Sequence, residues 1–154
     1  MNKKVLIGIA DGTEELEAVT IIDVLRRAEV DVTVASVAPG HEVECSRGVR
    51  LVADKLIGEC VAEDWDAIMV PGGMPGAQNL SDNEAFVSLL KQQHSSGKLI
   101  AAICAAPYVV LACHGLLEGK SATAYPGFRE DLTTVGVMPS DEVVVIDGNI
   151  MTSQ

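Results

Sequence analysis

Three short runs of β-branched and aliphatic residues, KVLIGIA near the amino end, VDVTVASV from Val30 and WDAIMVPGG from Trp65, are separated by segments with helical periodicity. Strand and helix patterns that alternate at this spacing build βαβ units, and βαβ units require a parallel sheet with helices on its faces. A further run, LIAAI, leads into Cys104. Composition agrees: hydrophobic residues make up 48% of the chain but aromatics only 3%, so Val, Ile, Leu and Ala must fill the core, as in layered α/β proteins rather than β-sandwiches. At 154 residues the expectation is a single domain spanning residues 1–154.

In EELEAVTIIDVLRRA, Thr13, Thr20, Asp23 and Arg27 gather on one side of the helical wheel, which predicts a helix covered over much of its circumference. HEVECSRGVRLVAD reads as a hairpin at the sheet edge, turning at Ser46, Arg47 and Gly48. SDNEAFVSLLKQQHSSG predicts a helix from Ser81 or Asp82 to near Gly97. AAPYVVLACHG predicts another, with Pro107 in its first turn and its end at Gly115. SATAYP and EVVVIDGNIMTSQ suggest more strands, with Asp147-Gly148 as a tight turn. No helix follows that last strand to cover the sheet, so the expectation is cover from a partner or from a longer chain.

Eleven Lys and Arg against 22 Asp and Glu give a net charge of -11, which argues against nucleic acid and anionic membrane surfaces as partners. VLIGIA is too brief for a signal segment, and no apolar run reaches the roughly 18 residues of a membrane span. A cytoplasmic location is expected. Cys45, Cys60, Cys104 and Cys113 form no CxxC pair and no metal-like spacing with His41, His94 or His114, so reduced thiols, no metal and no cofactor are expected.

The stretch KLIAAICAAP, residues 98–107, stops a strand at a cysteine and begins a helix at once. Free N–H groups and the helix dipole favour a thiolate there and can hold an oxyanion, which predicts a Cys104 pKa lowered toward neutrality. Ala105 and Ala106 leave room for close approach, as in the G-x-S-x-G elbow without its glycines. A small buried thiol is the alternative. Two other loops follow strands on the same edge: IADGTEELE, with Glu14, Glu15 and Glu17 in the first helical turns, and MVPGGMPGAQ, with Gly72 and Gly73. Ligands collect at such edges. The acidic residues could equally serve the helix dipole, with Asp11 and Glu14 as a capping box. Glu17 lies at the border of the apolar face, near Ile21 and Val24 on the wheel.

Together IADGTEELEAVTIIDVLRRA, ECSRGV, DAIMVPGGMPGAQNL and LIAAICAAP resemble the ThiJ/PfpI superfamily, in the branch of the parkinsonism-associated protein deglycase and its bacterial relatives. The resemblance implies a flavodoxin-like parallel sheet with helices on both faces, and a chain lacking the family's C-terminal helices. It implies Cys104 as catalytic nucleophile and a protonated Glu17 hydrogen-bonded to its sulfur. Backbone N–H groups around Gly72, Gly73 and Ala105 would serve the oxyanion, and Arg27 and Arg47 an anion or dimer contact. The activity implied is cysteine-dependent detoxification of methylglyoxal, glyoxal and their early adducts on amines and thiols, by a homodimer. A redox sensor or chaperone-like protein using an oxidisable Cys104 is the alternative. An amidase or protease is the weakest reading, because ATAYP puts Tyr125 where many relatives carry a histidine. His114 is expected to be structural, and His41 and His94 exposed.

Overall fold

The computed structural model describes residues 2–154. In chain order its strands are β1 (Lys4–Ile9), β2 (Asp31–Ser36), β3 (Glu42–Glu44), β4 (Arg50–Val52), β5 (Lys55–Leu56), β6 (Ala67–Val70), β7 (Leu99–Ile103), β8 (Ser121–Ala122), β9 (Met138–Pro139), β10 (Val144–Asp147) and β11 (Ile150–Ser153). The helices that matter most are α1 (Glu15–Arg27), α2 (Gly76–Asp82) and α3 (Glu84–Ser95). Seven strands form the main sheet in the order β10-β11-β7-β6-β1-β2-β5. All of its pairings are parallel except β10 with β11, so the fold is the expected flavodoxin-like layering with one antiparallel edge.

Strands buried on both faces read as continuous apolar runs, and their alternation divides the core in two. Leu6, Ile68 and Ile100 pack with Trp65, Phe86 and Leu90 on the side of α2 and α3. Val5, Ile7, Ile9, Val32 and Val34 face the other way and pack with Ala18 of α1 and Val43 of the hairpin. The site loops leave this sheet at the carboxyl ends of β1, β6 and β7.

Several local expectations are corrected. The 41–54 hairpin turns where expected but forms its own two-stranded sheet, β3 with β4, and β5 is the main-sheet edge. Ser81 and Asp82 end α2 rather than start the next helix; Asn83 caps α3 by accepting from the Phe86 N–H at 2.9 Å. The last hairpin turns at Gly148 and Asn149, between the paired Asp147 and Ile150. Only Glu15 and Ala18 of α1 are buried, and Leu16 and Val24 are 73% and 57% exposed, so the apolar wheel overstated how much of this helix is covered.

Beside α1, the sheet face formed by β6, β7 and β11 is open. An apolar groove of about 340 Å³ lies there, lined by residues such as Ile21, Val24, Met69, Ala101 and Met151. No helix among the described residues is long and apolar enough to cross a membrane.

Candidate active site

Cys104 sits directly after β7 with φ of 65°, a left-handed backbone that a non-glycine residue adopts at a cost of about 1–3 kcal/mol. Hydrogen bonds hold it there from both sides. Its N–H donates to the Ser153 carbonyl at 3.1 Å, and its own carbonyl accepts from the Tyr125 N–H at 2.7 Å. Buried Ala105 and Ala106 follow, and then Pro107 opens a turn of π-helix to Leu111, a widened geometry common at functional sites. Gly115 ends the helix with φ of 75°, as expected.

The acidic stretch of α1 divides into three roles. Glu14 is the N-cap, accepting from the Leu16 N–H at 3.2 Å and from Ser46 Oγ at 2.9 Å. Asp11 does not join it in a capping box; it accepts from the Glu44 N–H at 2.9 Å and so ties the β1 loop to the hairpin. Glu15 is buried and clasps the hairpin turn, accepting from the Arg47 N–H at 2.8 Å and from Ser46 Oγ at 2.9 Å. Burial works to raise its pKa, but these bonds outweigh it and hold the carboxyl below its usual range. Periodicity placed Glu15 with the dipole residues and missed this contact, since its partners lie more than 30 positions away.

Glu17 is half-buried and turns toward Cys104. Its Oε2 accepts from the Gly72 N–H at 2.7 Å, and Glu17 Oε2 and Cys104 Cβ border the same point beside Gly72, within 2.9 Å of where a side chain there would begin. The loop after β6 is knitted to α1 at a second point, where the Glu14 N–H donates to the Gly72 carbonyl at 3.0 Å. Gly73, with φ of 88°, needs its glycine for conformation, and its N–H and that of Ala105 work to lower the pKa of the Cys104 thiol. Cys104, Glu17, Gly72, Gly73 and Ala105 therefore lie together at the elbow.

The electrostatics differ from the expectation of a thiol lowered by the helix alone. Burial, and then the neighbouring Glu17 charge, push Cys104 up to about 11, against the opposing pull of the Ala105 and Gly73 N–H groups. Burial likewise raises Glu17 above its ordinary value, partly offset by the Gly72 N–H and the cysteine. Two adjacent half-buried acids resist holding two negative charges at once.

The remaining candidates lie apart from the sulfur. Arg27 pairs with Asp23 at 2.9 Å on the exposed side of α1, and exposed Arg47 reaches only the Ser46 carbonyl, at 3.4 Å. His114 Nε2 lies 2.9 Å from Ser81 Oγ and is structural. His41 is exposed as expected, whereas His94 is half-buried and its Nδ1 has no partner among the described residues. Tyr125 supplies its backbone to the elbow and is itself 52% exposed. Among the described residues no group of three His, Cys, Asp or Glu is arranged to hold a metal ion.

Known proteins share this arrangement of strands. The chain superposes on the oxidised DJ-1 of Toxoplasma gondii with a TM-score of 0.93 and 48% identity, over 98% of this chain and 81% of that one. It is 42% identical to protein dj-1beta of Drosophila melanogaster over 100% of its length and 82% of that protein's. It is also 32% identical to a deglycase of Pyrococcus abyssi, over 98% of this chain and 89% of that protein. Of DJ-1 homolog A of Arabidopsis thaliana, 47% identical, it spans only 39% of the length. The match to the DJ-1/PfpI family runs from residue 3 through every strand of the sheet to residue 154, and the chain belongs to that family.

Proposed function

We propose that the chain carries a cysteine-dependent glyoxalase and deglycase site that converts methylglyoxal, glyoxal and their early adducts to hydroxy acids. The observation that carries this reading is a cysteine on a strained elbow packed, across Gly72, beside the half-buried carboxyl group of Glu17. With room for one negative charge between Cys104 and Glu17, the sulfur is its better seat. It meets the N–H groups of Gly73 and Ala105 and can accept from a protonated Glu17, whereas the carboxylate meets only the Gly72 N–H and a weak thiol donor.

The chemistry follows. The thiolate attacks the aldehyde carbon of methylglyoxal, the carbonyl π pair moves to oxygen, and Glu17 gives that oxygen its proton to form a hemithioacetal. Ionised Glu17 then takes the C–H proton of the former aldehyde carbon. The electron pair passes through an enediol as the hydroxyl proton of the former aldehyde carbon moves to the neighbouring ketone oxygen, and the proton on Glu17 returns to the adjacent carbon, leaving a thioester. Water adds to the thioester carbonyl and expels the thiolate, so methylglyoxal and one water give lactate. In an early amine or thiol adduct the thiolate displaces the nitrogen or sulfur from the former aldehyde carbon, Glu17 gives that departing atom its proton, and the same enzyme-bound hemithioacetal forms as the repaired group leaves. The deglycase of Pyrococcus abyssi supports this substrate class by its name.

Incubating the folded chain with methylglyoxal should yield lactate, and Cys104→Ser should lower the rate on the order of a thousandfold or more. Equal rates in the two would sink the proposal. A second reading, oxidative sensing, is favoured by the same donors, which could equally hold a sulfinate. If no lactate forms and mild peroxide still modifies Cys104 ahead of Cys45 and Cys60, that reading replaces the first.

A homodimer through the outer side of α1 belongs to the same proposal. Exposed Leu16, Val19 and Val24 support it, with Arg27 on the same helix and Arg47 on the hairpin it clasps. Sedimentation of the chain as a monomer at micromolar concentration would remove that part.

A further inference from the structure

The chain has only two Phe, two Tyr and one Trp, yet Tyr108, Phe128 and Tyr125 form one aromatic row beside the elbow. Tyr108 lies four residues after Cys104 on the elbow helix, and its half-buried ring stacks on Phe128 with centroids 5.8 Å apart and planes 21° apart. Phe128 in turn meets the edge of Tyr125 at 6.4 Å. The Tyr125 ring lies over Gly127, where the first carbon of any side chain would come within 3.0 Å of it. The row is anchored to the reacting residue at both ends, through the elbow helix and through the Tyr125 N–H on the Cys104 carbonyl.

The opposite side of the sulfur is closed. A single added carbon at Gly72 would lie 2.8 Å from Cys104 Cβ and 2.9 Å from Glu17 Oε2, so the loop after β6 and α1 leave no space for a substituent. A group bonded to sulfur is kept from the Gly72 and Glu17 side, and the 124–128 segment, held to Cys104 by the Tyr125 N–H at 2.7 Å, is the neighbour that carries uncharged rings. Glu14 makes the inner wall unfavourable for an anionic tail.

We infer that Tyr125, backed by Phe128 and Tyr108, is a specificity-determining residue that favours 2-oxoaldehydes bearing a neutral aryl group over methylglyoxal. This rests on the aldehyde reading above. The ring offers an incoming aryl group an edge or offset-stacked contact, and half of the residue's surface is free to make one.

The test compares kcat/KM for phenylglyoxal and methylglyoxal in the unmodified chain, Tyr125→Ala and Tyr125→Phe. The ratio should fall roughly three- to tenfold in Tyr125→Ala and hold in Tyr125→Phe, which keeps the ring. An unchanged ratio in Tyr125→Ala overturns the inference. Alkylation of Cys104 by N-benzylmaleimide against N-methylmaleimide, resolved by peptide mass, provides a readout that needs no turnover. If the unmodified chain converts neither aldehyde, the aldehyde reading fails by itself, and the maleimide ratio decides whether the aromatic wall exists. A fall of the same size in Tyr125→Ala supports the wall, and no fall removes it.

Discussion

Glu17→Gln should change the pH profile of Cys104 alkylation from two steps to a single step with a midpoint below about 11, the value to which burial and the Glu17 charge hold the thiol. In the unmodified chain the first proton leaves the pair in the raised range of Glu17, and with the charge seated on sulfur this release already creates a reactive thiolate. The last proton is held by repulsion between two charges at contact distance. Glutamine keeps the shape of the side chain and can still donate to sulfur, but it never carries charge. The lower step then disappears, because no carboxyl remains to hold the proton in place of the sulfur. The upper one falls by roughly one to two units, the usual effect of removing a like charge this close. Alkylation rates from pH 4 to 11.5, resolved by peptide mass, report both changes. A single step near 11 in the unmodified chain would show that sulfur keeps its proton through neutrality and that Glu17 acts first as a base. A profile indifferent to Glu17→Gln would mean that the two groups do not share a proton at all.

Much of this site could be read from the sequence because each part lies at a local discontinuity. Cys104 is where an apolar run stops and a proline-started helix begins; Gly72 and Gly73 follow a strand; Glu17 falls within a first helical turn. The sheet was legible for a related reason, since β1 is buried on both faces and β2, β6 and β7 on at least one, which makes these runs largely apolar. What sequence could not supply was long-range partnership. Glu14, Glu15 and Glu17 are equivalent by propensity, and only the hairpin beside Glu15 and the elbow beside Glu17 separate them. The separate hairpin sheet and the exposed side of α1 escaped notice because periodicity tells which residues are apolar and not what lies opposite them. The thiol's raised pKa escaped in the same way. The elbow's N–H groups are local and were anticipated, while the burial and the Glu17 charge that outweigh them come from the packed fold around Cys104.

Gly72→Ala should damage the reaction severely while leaving the chain folded. The two adjacent glycines are needed for different reasons. Gly73 and Gly12 adopt positive φ, so a side chain at either strains the backbone, whereas Gly72 has ordinary backbone and lacks only space. Its added carbon would sit 2.8 Å from Cys104 Cβ, 2.9 Å from Glu17 Oε2 and 2.9 Å from the Ile103 carbonyl oxygen. None of these can swing aside cheaply, because Ile103 is in β7, Cys104 is pinned by Ser153 and Tyr125, and Glu17 is held by the Gly72 N–H itself. The loop must retreat, and its retreat lengthens the bond to Glu17 and draws the Gly73 N–H away from sulfur. Overpacking of this kind costs about 1–3 kcal/mol of stability, which a domain of this size survives. The reaction suffers more, since a misplacement approaching 1 Å at a reacting group lowers turnover by roughly a hundredfold. The expected result is a folded variant with a modest fall in Tm, lactate formation reduced about a hundredfold, and a single, shifted Cys104 titration. Near-normal turnover in Gly72→Ala would mean that the Gly72–Glu17–Cys104 contact is packing alone, and that the catalytic proton travels by another route.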